Sequence, residues 1–142
     1  MKTTSIVHAA ACHCRSVRFD IRLTDEFNSI RRCSCSYCRM RGAIAVSANL
    51  DGIQFIKGRE YLSLYQFNTN TAKHYFCSIC GIYTHHQHRS NPNEFGVNVA
   101  CIDGVSPFDF KEVVVNDGVN HPSDKSSGPL VAGMLRYSES TD

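Results

Sequence analysis

The sequence predicts an all-β fold with little helix, on three observations. Apolar and polar residues alternate over several short segments, turn dipeptides separate those segments, and no long window carries the apolar stripe of an amphipathic helix. Val17, Phe19, Ile21 and Leu23 are apolar while Arg18, Asp20 and Arg22 between them are polar, the period of a half-buried strand. A short helical turn is expected near Tyr37 to Arg41. Strand candidates follow at Ile44 to Ala48, Ile53 to Lys57, Tyr61 to Phe67, Lys73 to Phe76 and Ile82 to His86. Phe95, Val97, Val99 and Cys101 repeat the alternation, and Phe110 to Val115 is a further candidate. Asp51-Gly52, Lys57-Gly58, Asn91-Pro92-Asn93, Asp103-Gly104 and Asp117-Gly118 read as turns. From Asn116 onward turn formers predominate, which predicts a surface loop, and Leu130 to Tyr137 reads as a final short strand or tail.

With 142 residues, 42% of them hydrophobic, the chain can bury one respectable core and is too short for two ordinary domains. A single domain over 1–142 is expected, its core at about 8–116 and its remainder, 117–142, a loop and C-terminal tail. Met1 to Ala11 lacks the continuous apolar stretch of a signal peptide, and no segment approaches the ~20 apolar residues of a membrane span. The expectation is a cytoplasmic protein in a reducing compartment, where eight cysteines serve metal ions rather than disulfides. A net charge of +2, with basic residues scattered apart from Arg31, Arg32, Arg39 and Arg41, gives little footing for nucleic acid. Ionising seven thiols around two zinc ions would bring that charge to about −1.

The cysteines carry the chemistry. They fall into the groups Cys12-His13-Cys14, Cys33-Ser34-Cys35-Ser36-Tyr37-Cys38 and Cys77-Ser78-Ile79-Cys80-Gly81, with Cys101 alone. Tetrahedral zinc holds its sulfurs roughly 3.8 Å apart, a separation that CxC and CxxC pairs reach locally. Gly81 after Cys80 suits the tight turn of a zinc knuckle. Two separated pairs, Cys12 and Cys14 with Cys77 and Cys80, make a closed structural site. Cys33, Cys35 and Cys38 can hold a second metal from one side and leave a fourth position to water, to a substrate or to Cys101. If Cys101 closes it, both metals are structural; the spacing alone fits either arrangement. At an apolar position of an alternating segment, Cys101 also reads as a small buried hydrophobe. A redox CxxC would open a helix in a βαβ unit, whereas Cys77 and Cys80 lie among strand signals. His13 would face away from its flanking ligands, and His85, His86 and His88 read as exposed residues of a strand and its following loop.

These motifs resemble the glutathione-dependent formaldehyde-activating enzyme/centromere protein V domain family. The likeness runs through Cys12-His13-Cys14-Arg15-Ser16-Val17-Arg18-Phe19, Cys33-Ser34-Cys35-Ser36-Tyr37-Cys38-Arg39-Met40-Arg41-Gly42-Ala43 and His74-Tyr75-Phe76-Cys77-Ser78-Ile79-Cys80-Gly81-Ile82. It continues through Arg89-Ser90-Asn91-Pro92 and Gly96-Val97-Asn98-Val99. The resemblance implies a β-tent of stacked antiparallel sheets, a structural zinc at Cys12, Cys14, Cys77 and Cys80, and a second zinc at Cys33, Cys35 and Cys38. It also implies a carbon–sulfur lyase-type activity, the reversible joining of glutathione and formaldehyde to S-hydroxymethylglutathione. Arg15 stands where the family usually has glycine, and Ser34 where it often has histidine; neither change removes a metal ligand.

The expected partners are therefore a glutathione-like thiol and formaldehyde or another small aldehyde, with Cys33, Cys35 and Cys38 acting as ligands of a catalytic zinc rather than as nucleophiles. Arg39, Arg41, Lys73 and Arg89 are candidates to meet the carboxylates of glutathione. The alternative is a non-enzymatic, zinc-stabilised binding module with both metals structural. Such a module would normally carry a basic or disordered extension for its partner, and this sequence shows none.

Overall fold

A computed structural model describes residues 6–67, 72–87, 93–118 and 131–141. The chain is all-β, as the alternation predicts. Its strands are β1 (Val7–Ala11), β2 (Arg18–Leu23), β3 (Arg31–Cys33), β4 (Ala45–Lys57), β5 (Leu62–Tyr65), β6 (Lys73–Cys77), β7 (Tyr83–Gln87), β8 (Glu94–Asn98), β9 (Glu112–Asn116) and β10 (Val131–Arg136). A short α-helix, α1 (Ser36–Arg41), follows β3 at the position predicted for a helical turn. The strands join in one sheet ordered β10-β9-β3-β4-β8-β7-β6-β5, with β1 and β2 attached through β4. Pairing is antiparallel throughout except that β3 runs parallel to β9, with Cys33 opposite Asn116.

The alternation of β2 has the consequence expected of it. Phe19, Ile21 and Leu23 are buried with Val17, while Arg18 and Arg22 face solvent. Val46, Ala48, Val97, Val99 and Ile102 complete the same cluster, which also takes in Cys12, Cys77 and Cys101. Each large apolar side chain buried there contributes about 1.5–3 kcal/mol. Two of the paired thiols, Cys12 and Cys77, thus belong to the hydrophobic core, so a metal held by them would be tied to folding.

The structure corrects the sequence reading at four places. Ile44 to Ala48 and Ile53 to Lys57 are halves of one strand, β4, and Asp51-Gly52 is not a hairpin turn. The first half pairs with β8 and the second with β2, and the register shifts between them. Gly52 sits in that irregularity, where a Cβ would come 2.7 Å from the Arg22 carbonyl oxygen. Beyond Phe95 and Val97, the strand ends at Asn98. The Asn98 side chain accepts from the Ala100 N–H at 3.0 Å, which turns Val99–Cys101 into a 3-10 turn rather than a continued strand.

Third, His85 is buried rather than exposed. It stacks on Tyr75 at 4.7 Å and packs against Phe19, Phe55 and Phe95, and burial first, with Arg59 second, pushes its imidazole down to about 4. Fourth, β1 is a strand although its sequence shows no alternation. Ala9, Ala10 and Ala11 have no side chain bulky enough to display one, yet β1 pairs with β2 over its whole length. β10 occupies the expected final strand, with all six residues exposed. His88, Arg89, the turn residues Asn91 and Pro92, and most of the loop predicted after Asn116 lie outside the described residues.

Candidate metal centres

The connection from β1 to β2 is a tight turn. Cys12 N–H donates to the Val17 carbonyl, and Arg15 N–H returns to the Cys12 carbonyl, both at 3.1 Å. This presents Cys12 inward and leaves Cys14 exposed. Arg15 takes a φ of 64°, the left-handed region that costs a residue with a Cβ roughly 1–2 kcal/mol. The turn is kept with arginine in this conformation, and its side chain also meets Asp103 at 3.4 Å.

Cys77 closes β6 and Cys80 stands in the turn to β7. Gly81 has φ 79° and sends its N–H to the Cys77 carbonyl at 2.7 Å, while Cys77 N–H donates to the Ile82 carbonyl at 2.9 Å. This is the knuckle that the Cys-x-x-Cys-Gly pattern predicts. The ligand atoms of Cys12, Cys14, Cys77 and Cys80 converge within 4.8 Å of one another. Cys12 and Cys14 Sγ are 3.6 Å apart, and Cys14 and Cys77 Sγ 3.8 Å, the spacing of thiolates sharing a tetrahedral ion. Backbone N–H groups of Val17 and Ile79 point at the Cys12 and Cys77 sulfurs from 3.4 Å, supporting negative charge there.

Burial pushes the Cys12 thiol up to about 11, whereas the Ser16 hydroxyl and backbone N–H pull Cys14 down to about 6. Burial opposes ionisation of Cys80 too, but the N–H groups of Cys14 and Ile82 bring it below its ordinary value. A divalent cation would resolve the conflict at Cys12 by supplying the charge that the core lacks.

Cys33, Cys35 and Cys38 make the second centre, and their ligand atoms also lie within 4.8 Å of one another. Cys33 ends β3. Cys35 caps α1, its sulfur accepting the Cys38 N–H at 3.3 Å, and Cys33 sulfur accepts the Cys35 N–H at 3.5 Å. The three thiols share their protons: Cys35 is held well below the ordinary thiol range by hydrogen bonds from Cys33 and Cys38, which are themselves raised by those contacts. Among the described residues, no fourth histidine, cysteine, aspartate or glutamate joins them.

Cys101 is not part of either group. It is buried, its thiol donates to the Tyr83 carbonyl at 3.5 Å, and burial, then Cys12 and Cys80, push it up to about 12. It reads as a small core residue beside the first centre. Both donor sets are all-sulfur, which suits a thiophilic ion, and both are compatible with zinc.

Several residues around the second centre did not stand out in the sequence. Gly118 carries the closest approach: a Cβ there would lie 2.4 Å from Cys33 Sγ and 2.7 Å from the Cys35 Cβ and N. Its N–H donates to Ser34 Oγ at 3.1 Å, and Ser34 N–H donates to the Asn116 carbonyl. In sequence this glycine reads only as half of a turn dipeptide. Tyr37, between two of the cysteines, lies against Tyr65, Phe67 and His74 with ring centres 4.6–5.5 Å away, docking α1 onto β5 and β6. Of the cations proposed to meet glutathione, Arg39 and Lys73 are exposed and Arg89 lies outside the described residues. Arg41 turns inward, its Nη2 3.4 Å from Cys38 Sγ.

The family model described as glutathione-dependent formaldehyde-activating enzyme matches residues 7–115. The chain belongs to this formaldehyde-activating family. A crystal structure of a Rhodobacter sphaeroides protein is 55% identical, with a TM-score of 0.73; the match covers 74% of this chain and 96% of that one. All seven clustered cysteines fall inside the family match, whereas Gly118 and β10 lie beyond it. Among the described residues, no helix of this formaldehyde-activating family member is long and apolar enough to cross a membrane.

Proposed function

We propose that this chain is a zinc-dependent, carbon–sulfur lyase-type enzyme that joins or splits a glutathione-like thiol and formaldehyde or another small aldehyde. The observation that carries the reading is the contrast between the two centres. One gathers four sulfurs, two of them in the core; the other gathers three beside a short helix, with no fourth ligand among the described residues. Family membership supports the substrate class.

In this reading Cys12, Cys14, Cys77 and Cys80 hold a structural zinc, and Cys33, Cys35 and Cys38 hold a catalytic one. Zinc at the second centre would supply Lewis acidity, lowering the pKa of an incoming thiol toward neutrality. The chain's residues do the rest. The three cysteines hold their geometry through the N–H donors of Cys35 and Cys38 and serve as ligands, not nucleophiles. The rings of Tyr37, Tyr65 and Phe67 make an apolar flank to α1. In the forward direction the thiol sulfur adds to the aldehyde carbon: a C–S bond forms, the C=O π bond breaks, and the proton lost by sulfur is made good at the oxygen. Substrate carboxylates fall to the exposed Arg39 and Lys73.

A single domain over 1–142 and a reducing, cytoplasmic setting complete the proposal. One contiguous core cluster supports the first, and seven clustered thiols the second.

The test is a titration of the zinc-loaded protein with glutathione, read by X-ray absorption at the zinc edge. The expected outcome is added Zn–S scattering from one of the two metals, together with faster consumption of formaldehyde than with glutathione alone. An unchanged metal environment at millimolar glutathione would show that the thiol does not add there, and would support the module with two structural metals.

A further inference from the structure

Arg41 is a permanent cation in direct contact with a sulfur of the three-thiol centre, and rings of the sheet and of α1 pack around it. Its guanidinium lies 3.7 Å from the centre of the Tyr83 ring and 4.9 Å from that of Tyr37. Nη2 donates to Cys38 Sγ at 3.4 Å and Nη1 to His74 Nδ1 at 3.0 Å, which fixes that nitrogen of His74 as an acceptor. Nε is buried and has no hydrogen-bond partner among the described residues. Enclosing a guanidinium this way is unfavourable unless a negative charge offsets it. Burial first, and Arg41 second, hold His74 down to about 4, so the neighbouring imidazole adds no second positive charge near neutrality.

The charge balance of the centre gives this enclosure a purpose. Three thiolates around a divalent ion carry a net charge of about −1, and a fourth thiolate would bring it to about −2 in a partly desolvated place. A neutral fourth ligand, such as water or imidazole, adds no charge. Arg41 touches a ligand sulfur directly and offsets one unit of that excess. Through its stacking on Tyr83 of β7 and its contact with His74 of β6, this last residue of α1 ties the three-thiol centre to the sheet.

We propose that Arg41 is a positioning residue that makes the Cys33, Cys35 and Cys38 centre selective for an anionic sulfur as its fourth ligand over a neutral one. The proposal rests on the reading that a thiol adds at this centre. It also separates Arg41 from Arg39 and Lys73, whose exposed charges can meet only the outer parts of a substrate.

The test uses the protein with cobalt(II) in place of zinc, because absorption in the visible and near-ultraviolet reports each ligand exchange. Mercaptoethanol and imidazole serve as the anionic and neutral probes, against wild type, Arg41→Met, Arg41→Gln and Arg41→Lys. Loss of the charge is expected to weaken mercaptoethanol binding about 10- to 100-fold, the range typical of groups that support a metal's ligands, while imidazole binding changes by less than about threefold. Arg41→Lys should recover most of the thiol affinity.

An unchanged mercaptoethanol-to-imidazole ratio in a folded neutral variant would overturn the proposal. So would loss of metal from the four-cysteine centre in both neutral variants, since that assigns Arg41 a structural role. If wild type itself binds neither probe, the functional reading fails first, and that result is distinct from a wild type that binds the thiol no differently from Arg41→Met.

Discussion

Replacing Gly118 with alanine is the sharpest steric probe of the three-thiol centre. The added methyl would lie 2.4 Å from Cys33 Sγ and 2.7 Å from both Cys35 Cβ and Cys35 N, where ordinary contacts are about 3.5–4.0 Å. Relief requires either that the cysteines retreat or that the 116–118 segment lifts away and breaks the Gly118 N–H to Ser34 Oγ bond. Overpacking of this kind costs about 1–3 kcal/mol and the hydrogen bond about another 1 kcal/mol. If half of that total falls on the metal-bound state, about 1–2 kcal/mol, the affinity of the centre drops by about 5- to 30-fold. The four-cysteine centre involves none of these atoms. Zinc release to a chromogenic chelator should therefore split into two phases in Gly118→Ala, with only the weaker phase shifted and the thermal midpoint changed by a few degrees at most. Two zinc ions held as tightly as in wild type would refute the geometry argued for Gly118.

Three further substitutions separate the roles of the centres and of the core histidine. Cys12→Ser removes a clustered thiol from inside the hydrophobic core; if that cluster holds zinc as proposed, apparent binding worth about 10–16 kcal/mol is folding energy, and the variant should unfold or aggregate. Cys33→Ser should lose one zinc and keep its circular dichroism, and equal loss of folding in the two variants would count against an exchangeable second site.

For His85, the imidazole is held neutral down to about 4 in the fold but ionises near 6.5 once unfolded. The unfolded chain therefore binds more protons between those values, so stability falls as pH drops from about 6.5 to 4, by roughly 3 kcal/mol. Denaturant unfolding of wild type and His85→Phe at pH 7 and pH 4.5 should show that extra loss in wild type alone. Parallel pH profiles would rule the buried neutral histidine out as its source.

Family membership and the ligand pairs were legible because they are local. Cys-x-Cys and Cys-x-x-Cys-Gly bring sulfurs together within a turn, and the structure returns the same two groups, with Cys101 outside both. Gly81 shows how far a short pattern can reach: its left-handed φ is visible in the sequence as a glycine after a ligand. Alternation likewise revealed β2, whose bulky residues take opposite faces. It failed for β1, whose alanines display no period, and for β4, where Asp51-Gly52 marks a register shift inside a strand instead of a reversal. His85 was misjudged because burial depends on the rings that close over a strand face, not on the histidine itself.

The sequence by itself therefore determined the all-β class, the family, and which thiols could share an ion, since each depends on residue type at short spacing. Only the tertiary structure decided what surrounds those thiols. Parallel pairing of β3 with β9 brings Gly118 against Cys33 across more than eighty residues of chain, and β6 and β7 supply the imidazole and the ring that enclose Arg41. Those contacts are made by strand register rather than by neighbours in sequence. The charge and access of the three-thiol centre could thus be read only once the sheet was closed.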